Sequence, residues 1–118
     1  MKKLNAIPLE NVKVSGLHDG KGAVFGGRAL QCADLGGGAW DFVDYWRMPP
    51  HTSIGEHLHE EGYELYFIIR GHGVMTTNGE PCAVQAGDMI LNEPGDRHML
   101  ENTSSEDLYC LVTAVIEK

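Results

Sequence analysis

Residues 56–64 read EHLHEEGYE, and this short stretch decides the fold prediction. It places two imidazoles, His57 and His59, two residues apart, and a carboxylate, Glu64, five residues after the second. Residues i and i+2 of a strand share a face, so both imidazoles are expected to point at one spot. A turn through Gly62 returns Glu64 to the same spot. The stretch therefore predicts three ligands of a metal site.

A fourth candidate ligand, His98, lies in a second stretch, residues 94–98, which reads PGDRH. Antiparallel pairing of the two stretches would bring His98 beside the first three ligands. Histidine nitrogens and one carboxylate suit several divalent transition metals, so Mn, Fe, Zn and Ni all remain candidates. The sequence predicts one such metal and leaves its identity open.

These residues resemble the two motifs of the cupin family. The first motif, Gly-x5-His-x-His-x4-Glu-x6-Gly, is matched by the first three ligands and by Gly71, while His51 stands in place of its opening glycine. This departure removes no ligand, and neither does a displaced proline in the second motif, which is described next. Both alter loops that shape the mouth of the pocket.

The second motif, Gly-x5-Pro-x-Gly-x2-His-x3-Asn, is matched by Gly87, Gly95, His98 and Asn102. Its proline is displaced by one position, because residues 93–94 read Glu-Pro. The resemblance covers roughly residues 41–116. In the family such a site is a three-histidine, one-glutamate octahedron with two positions for water or substrate.

The resemblance implies an all-β fold, the cupin double-stranded β-helix or jelly-roll barrel, with an N-terminal extended arm. We expect residues 1–35 to form the arm and edge strands and residues 36–118 the barrel, in one domain. Short strand patterns separated by turn signals agree with this expectation, and Asn78-Gly79 is a typical hairpin dipeptide. The pair Gly26-Gly27 suggests a bulge. No capped amphipathic helix of three or more turns is evident.

Composition narrows the class of partner. The net charge is -8, with nine Lys and Arg against 17 Asp and Glu, so no nucleic-acid or anionic-membrane partner is expected. A small molecule is the better prediction. The cupin resemblance implies a homodimer through residues 1–32, because family members commonly pair through N-terminal arms and edge strands. No signal or membrane segment is evident, and three widely spaced cysteines fit no disulfide framework. A cytoplasmic protein with reduced thiols is predicted.

The resemblance implies several functions. Cupins include dioxygenases, decarboxylases, lyases and sugar isomerases, so we favour a metal-dependent enzyme acting on an oxygen-rich or carboxylate-bearing small molecule. The alternative is a non-catalytic binding or sensor protein in which the metal anchors the ligand. A third possibility is a structural role with the metal as a folding staple. The fold by itself does not choose among them.

Four further residues have weaker claims on the site. Tyr66 shares strand parity with Glu64, so it is expected to face the interior and to be a catalytic candidate. His51 precedes the ligands and is a second catalytic candidate, although simple solvation is the favoured interpretation. His72 lies in a Gly-His-Gly bend and is expected to be exposed, and His18, in the arm, has the weakest claim. The side chains expected to line the core or pocket are Trp46, Tyr66, Met75 and Cys110.

Overall fold

The computed structural model describes residues 1–58 and 61–116. These residues form ten strands, three short 3-10 helices and no α-helix. The strands are β1 Lys13–Ser15, β2 Ala23–Gln31, β3 Trp40–Met48, β4 Ser53–Leu58, β5 Gly62–Arg70, β6 His72–Thr77, β7 Glu80–Gln85, β8 Met89–Asn92, β9 Arg97–Glu101 and β10 Leu108–Ile116. The 3-10 helices are Ile7–Asn11, Leu17–Asp19 and Cys32–Leu35. No described helix is long and apolar enough to cross a membrane.

The described strands form two sheets that face each other. The larger sheet has the order β1-β2-β3-β10-β5-β8, and the smaller has the order β4-β9-β6-β7. The pairings between the described strands are antiparallel, with β10 pairing to β3 on one side and to β5 on the other. The chain crosses between the sheets at Gly71, so β5 and β6 belong to different sheets. This is the all-β jelly-roll architecture that the sequence predicts.

The core lies between the two sheets, because alternate residues of each strand point inward. In β10 the even-numbered residues from Leu108 to Ala114 are buried, and in β5 the even-numbered residues from Glu64 to Ile68 are buried. Met75 and Cys110 are 1% and 0% exposed. Inward side chains of the larger sheet, such as Cys110, thus meet those of the smaller sheet, such as Met75, in a single core.

The turns explain where the family motifs need their small residues. Asp96 donates its backbone N–H to the carbonyl of Glu93 at 3.0 Å, which closes a turn with Pro94 and Gly95 at its centre. Gly95 has φ +89°, so this is the Pro-Gly pattern of a type II turn. The displaced proline therefore serves the turn that leads into β9.

The N-terminal segment is only partly an extended arm. Residues 13–15 form the edge strand β1, and β2 pairs with β3 within the same sheet. The predicted division between residues 35 and 36 stays a prediction. The sequence predicts a bulge at Gly26-Gly27, but the irregularity in the pairing of β2 with β3 falls between Arg28 and Leu30. A Cβ at Gly26 would collide with the backbone of β3, so close approach explains this glycine.

Candidate metal centre

Two of the predicted ligands face each other across neighbouring strands. His57 of β4 and His98 of β9 are directly paired in the antiparallel register. Directly opposite residues have Cβ atoms about 4.5–5.5 Å apart, so the two imidazoles are close by construction. Their ring centroids are 4.2 Å apart in an edge-on arrangement. His98 is fully buried, whereas His57 is partly buried.

Glu64 reaches the same point from the opposite sheet. It lies on the inward face of β5 and is 2% exposed. Its Oε1 is 3.3 Å from Nε2 of His57 and 2.9 Å from Nε2 of His98. One potential ligand atom from each of the three residues lies within 4.8 Å of the others. The structure therefore brings together three of the four predicted ligands, each from a different strand.

The donor atoms fit a cation. Nδ1 of His57 lies 2.9 Å from the carbonyl of Gly55, an acceptor, so this nitrogen carries the proton and donates. Nε2 then presents a lone pair, and it faces another acceptor, the carboxylate oxygen of Glu64, at 3.3 Å. A cation between these atoms satisfies both. The carbonyl of Gly55 thereby holds the His57 ring in the tautomer that a metal needs.

His59, the fourth predicted ligand, lies outside the described residues. Its place in the site remains a prediction from the spacing of the first motif.

Tyr66 lies beside the candidate ligands, as its strand parity predicts. Its ring is edge-on to His98, with centroids 5.6 Å apart, and it is 2% exposed. Burial and the neighbouring charge of Glu64 raise the pKa of the Tyr66 phenol well above its ordinary value. The phenol is therefore kept in its protonated form at the edge of the site.

His51 is not brought to the ligands. It is exposed, in the turn between β3 and β4, and its backbone N–H donates to the carbonyl of Asn102 at 2.9 Å. It does not line the cavity described below. Its φ is +62°, the left-handed conformation that glycine adopts without cost, which agrees with the glycine of the family motif at this position. His72 is exposed, as expected.

A cavity of about 440 Å³ opens beside the candidate ligands. His57, Glu64 and Tyr66 lie in its wall. Its apolar residues are Leu17, Phe42, Trp46, Ile54 and Val112, and its other polar side chains are His18, Arg28 and Asp44. Such a volume is at the lower end of the range for small-molecule sites. The candidate metal ligands His57 and Glu64 therefore border a space that a small molecule can enter.

His18, to which the sequence gives the weakest claim, lies beside the candidate ligands and lines the cavity. Its ring stacks on His57 with centroids 4.0 Å apart and planes 14° apart. The 3-10 helix that carries His18 packs tightly on β4. A Cβ at position 55 would collide with the carbonyl of His18, so this close contact requires Gly55. No pattern in residues 1–20 signals this contact, since it depends on the glycine of another strand.

Arg28 and Asp44 are cavity residues that the sequence interpretation missed. Nε of Arg28 donates to Oδ1 of Asp44 at 3.0 Å, and Nη2 donates to Oδ2 at 3.5 Å. Desolvation by burial raises the pKa of Asp44, and the hydrogen bond and charge of Arg28 oppose this increase. A signal was present: Asp44 shares inward parity with Phe42 and Trp46, and a carboxylate on an inward face needs a partner or a function.

Comparison with known proteins gives the family. The profile described as Cupin domain matches residues 44–114, which is well over half of the chain. The chain belongs to the cupin family. The predicted double-stranded β-helix and the resemblance of the two motifs are thereby confirmed.

A sequence comparison and a structural comparison both find similarity to Thermotoga maritima over most of this chain. An oxalate-binding protein is 33% identical over 104 residues, 88% of this chain and 85% of the relative. A crystal structure described as a predicted oxalate decarboxylase superposes with a TM-score of 0.92 at 28% identity, covering 98% of this chain and all of the other. A double-stranded β-helix protein of Klebsiella pneumoniae, with a TM-score of 0.76 at 20% identity, shares the fold.

Proposed function

We propose that this cupin binds a small carboxylate ligand of the oxalate type at a divalent transition metal. The observation that carries the proposal is the convergence of His57 and His98 on one oxygen of Glu64, in the wall of a cavity. His59 completes the proposed ligand set, on the spacing of the first motif.

Charge favours an anionic ligand. Neutral imidazoles and one carboxylate leave about one net positive charge on a divalent site. An anion with two oxygens suits such a centre, and the name of the Thermotoga relative, an oxalate-binding protein, supports a dicarboxylate. When bound, the metal would polarise the carboxylate that it ligates.

The protein residues supply the surroundings. Phe42, Trp46 and Val112 give the cavity an apolar wall, which lowers the local dielectric and strengthens charge interactions with a bound anion. Tyr66 is the catalytic candidate that its position supports, because it lies in the cavity wall with its ring edge-on to His98. His51 remains a catalytic prediction that rests on sequence position alone.

The proposal includes catalytic turnover of the bound oxalate. Decarboxylation of oxalate consumes one proton and gives formate and carbon dioxide, and the Thermotoga structure described as a predicted oxalate decarboxylase supports this class. The alternative is a binding protein in which the metal anchors the ligand without turnover. Carbon-13 NMR of labelled oxalate, incubated with metal-loaded protein, separates the two by the appearance of formate.

Binding itself is tested by isothermal titration calorimetry. Protein stripped with a chelator is reloaded in turn with Mn(II), Fe(II), Zn(II) or Ni(II) and titrated with oxalate. The proposal expects binding to at least one loaded form and none to the stripped form. Equal binding with and without metal, or no binding to any loaded form, would contradict it.

A homodimer in a reducing compartment completes the proposal. Leu4, Ile7 and Val12 expose about half of their surface in the N-terminal segment, which supports pairing through residues 1–32. All three cysteines are free thiols, which supports a cytoplasmic location. Size-exclusion chromatography with light scattering tests the dimer, and a monomer at micromolar concentration would contradict it.

A further inference from the structure

The cavity contains a guanidinium that is fixed in place. Arg28 is tied along one edge by two hydrogen bonds to Asp44, and its Cζ lies 3.9 Å from the centroid of the Phe42 ring. One edge and one face of the guanidinium plane are therefore occupied. A side chain held in this way loses little freedom when it binds a ligand.

The fixed guanidinium still has N–H groups to offer. It carries five, and Asp44 takes one from Nε and one from Nη2. Within the described parts of the chain, Nη1 has no hydrogen-bond partner. Arg28 lines the cavity, and its side chain is 51% exposed. The remaining donors are accessible to a carboxylate that enters the cavity.

The sheet register sets the distance between Arg28 and the candidate metal ligands. Arg28 pairs with Asp44, Asp44 with Val112, and Val112 with Tyr66, so these four residues form one row across β2, β3, β10 and β5. Three strand spacings separate the ends of the row, about 14 Å between backbones. Glu64 lies two residues from Tyr66 on the same face. Arg28 and Glu64 line the same cavity, so a ligand in that cavity can contact both ends of the row.

We propose that Arg28 binds the second carboxylate of the ligand, while the first carboxylate binds the metal, and that Arg28 thereby selects dicarboxylates over monocarboxylates. This inference rests on the proposed function and assigns a specificity-determining residue to it. Asp44 is a positioning residue that aims the guanidinium. The planar guanidinium of an arginine can bind a carboxylate through two parallel hydrogen bonds, which the ammonium of a lysine does not reproduce.

The test compares ligands of one and two carboxylates. Metal-loaded wild type, Arg28→Gln and Arg28→Lys are titrated with oxalate, malonate, succinate and acetate. Arg28→Gln should weaken the best dicarboxylate about ten- to a hundredfold, the effect of a lost charged hydrogen bond, and acetate less than about twofold. Arg28→Lys should restore affinity only in part. Arg70→Gln, the same change at an exposed arginine of β5, is the matched control and should bind as wild type does.

The outcomes separate the inference from the proposed function. Unchanged dicarboxylate affinity in Arg28→Gln, or an equal loss for acetate, overturns the role of Arg28 and leaves the metal-anchored binding intact. Absence of metal-dependent dicarboxylate binding in the wild type overturns both. Metal content, measured on every variant, should be the same as in the wild type, because Arg28 is not a candidate ligand.

Discussion

Nε2 of His98 lies 2.9 Å from Oε1 of Glu64, although the two residues belong to opposite sheets of the barrel. A buried carboxylate is costly unless a positive charge or hydrogen bonds compensate it. The two sheets are therefore joined at this point by the chemistry of the site as well as by apolar packing.

Metal binding should stabilise the fold through this junction. At a metal concentration one hundred times Kd, linkage gives about 2.7 kcal/mol, or a rise of about 10 °C in Tm for a domain of this size. Glu64→Gln should lose most of this increment, because the site loses its charge. Thermal unfolding with Mn(II) and with EDTA measures both proteins. Glu56→Gln, an exposed glutamate on β4, is the control that should retain the shift, and a wild-type Tm unaffected by every candidate metal would refute the prediction.

The left-handed turn at His51 predicts a stabilising substitution. A residue with a Cβ at φ +62° is strained by about 1–2 kcal/mol, and a glycine at this position removes the strain. Part of this gain in stability is offset, because glycine loses more conformational freedom on folding. His51→Gly should therefore exceed His51→Ala by about 0.5–1 kcal/mol in free energy of unfolding. Urea denaturation compares the pair. Equal stability of the two variants would show that the turn is not strained.

Thiol accessibility tests the packing of β10. Cys110 is fully buried, and burial raises the pKa of its thiol, so little reactive thiolate forms at neutral pH. Cys82 is exposed and should react at once with a disulfide reagent such as DTNB. Cys110 should react only after unfolding, and Cys82→Ser should remove the fast phase alone. Rapid labelling of Cys110 in the native protein would be incompatible with this core.

Asp44 should make stability depend on pH in the unusual direction for a carboxylate. Its pKa is raised by desolvation, with smaller contributions from Glu64 and Asp41, against the opposing effect of Arg28. The protonated form is favoured in the folded state, so the stabilising effect is present below about pH 4, the ordinary pKa, and is lost as pH rises through the raised pKa. Relative to Asp44→Asn, the wild type should therefore become less stable between pH 4 and pH 7.

Denaturant unfolding of both proteins in EDTA at several pH values checks this trend. The difference in free energy of unfolding, variant minus wild type, should increase with pH. A difference that decreases with pH would mean that the ion pair with Arg28 outweighs desolvation.

Local sequence patterns predicted the strands and the family because both depend on short-range information. The spacing of His57 and Glu64 and the turn dipeptide Asn78-Gly79 each report on residues close in sequence. Contacts between distant segments were missed. His18 reaches the site only because Gly55 admits its 3-10 helix, and Arg28 is recognisable as a cavity residue only once β2 is known to pair with β3.

The metal content of the purified protein tests the central claim most directly. Wild type, His57→Ala, His98→Ala and the control His72→Ala, which changes an exposed histidine, are purified without added metal and measured by elemental analysis, with circular dichroism to verify folding. We predict about one equivalent of a divalent transition metal in the wild type and in His72→Ala, and strong depletion in the other two. Full occupancy in folded His57→Ala and His98→Ala would contradict the assignment of the site.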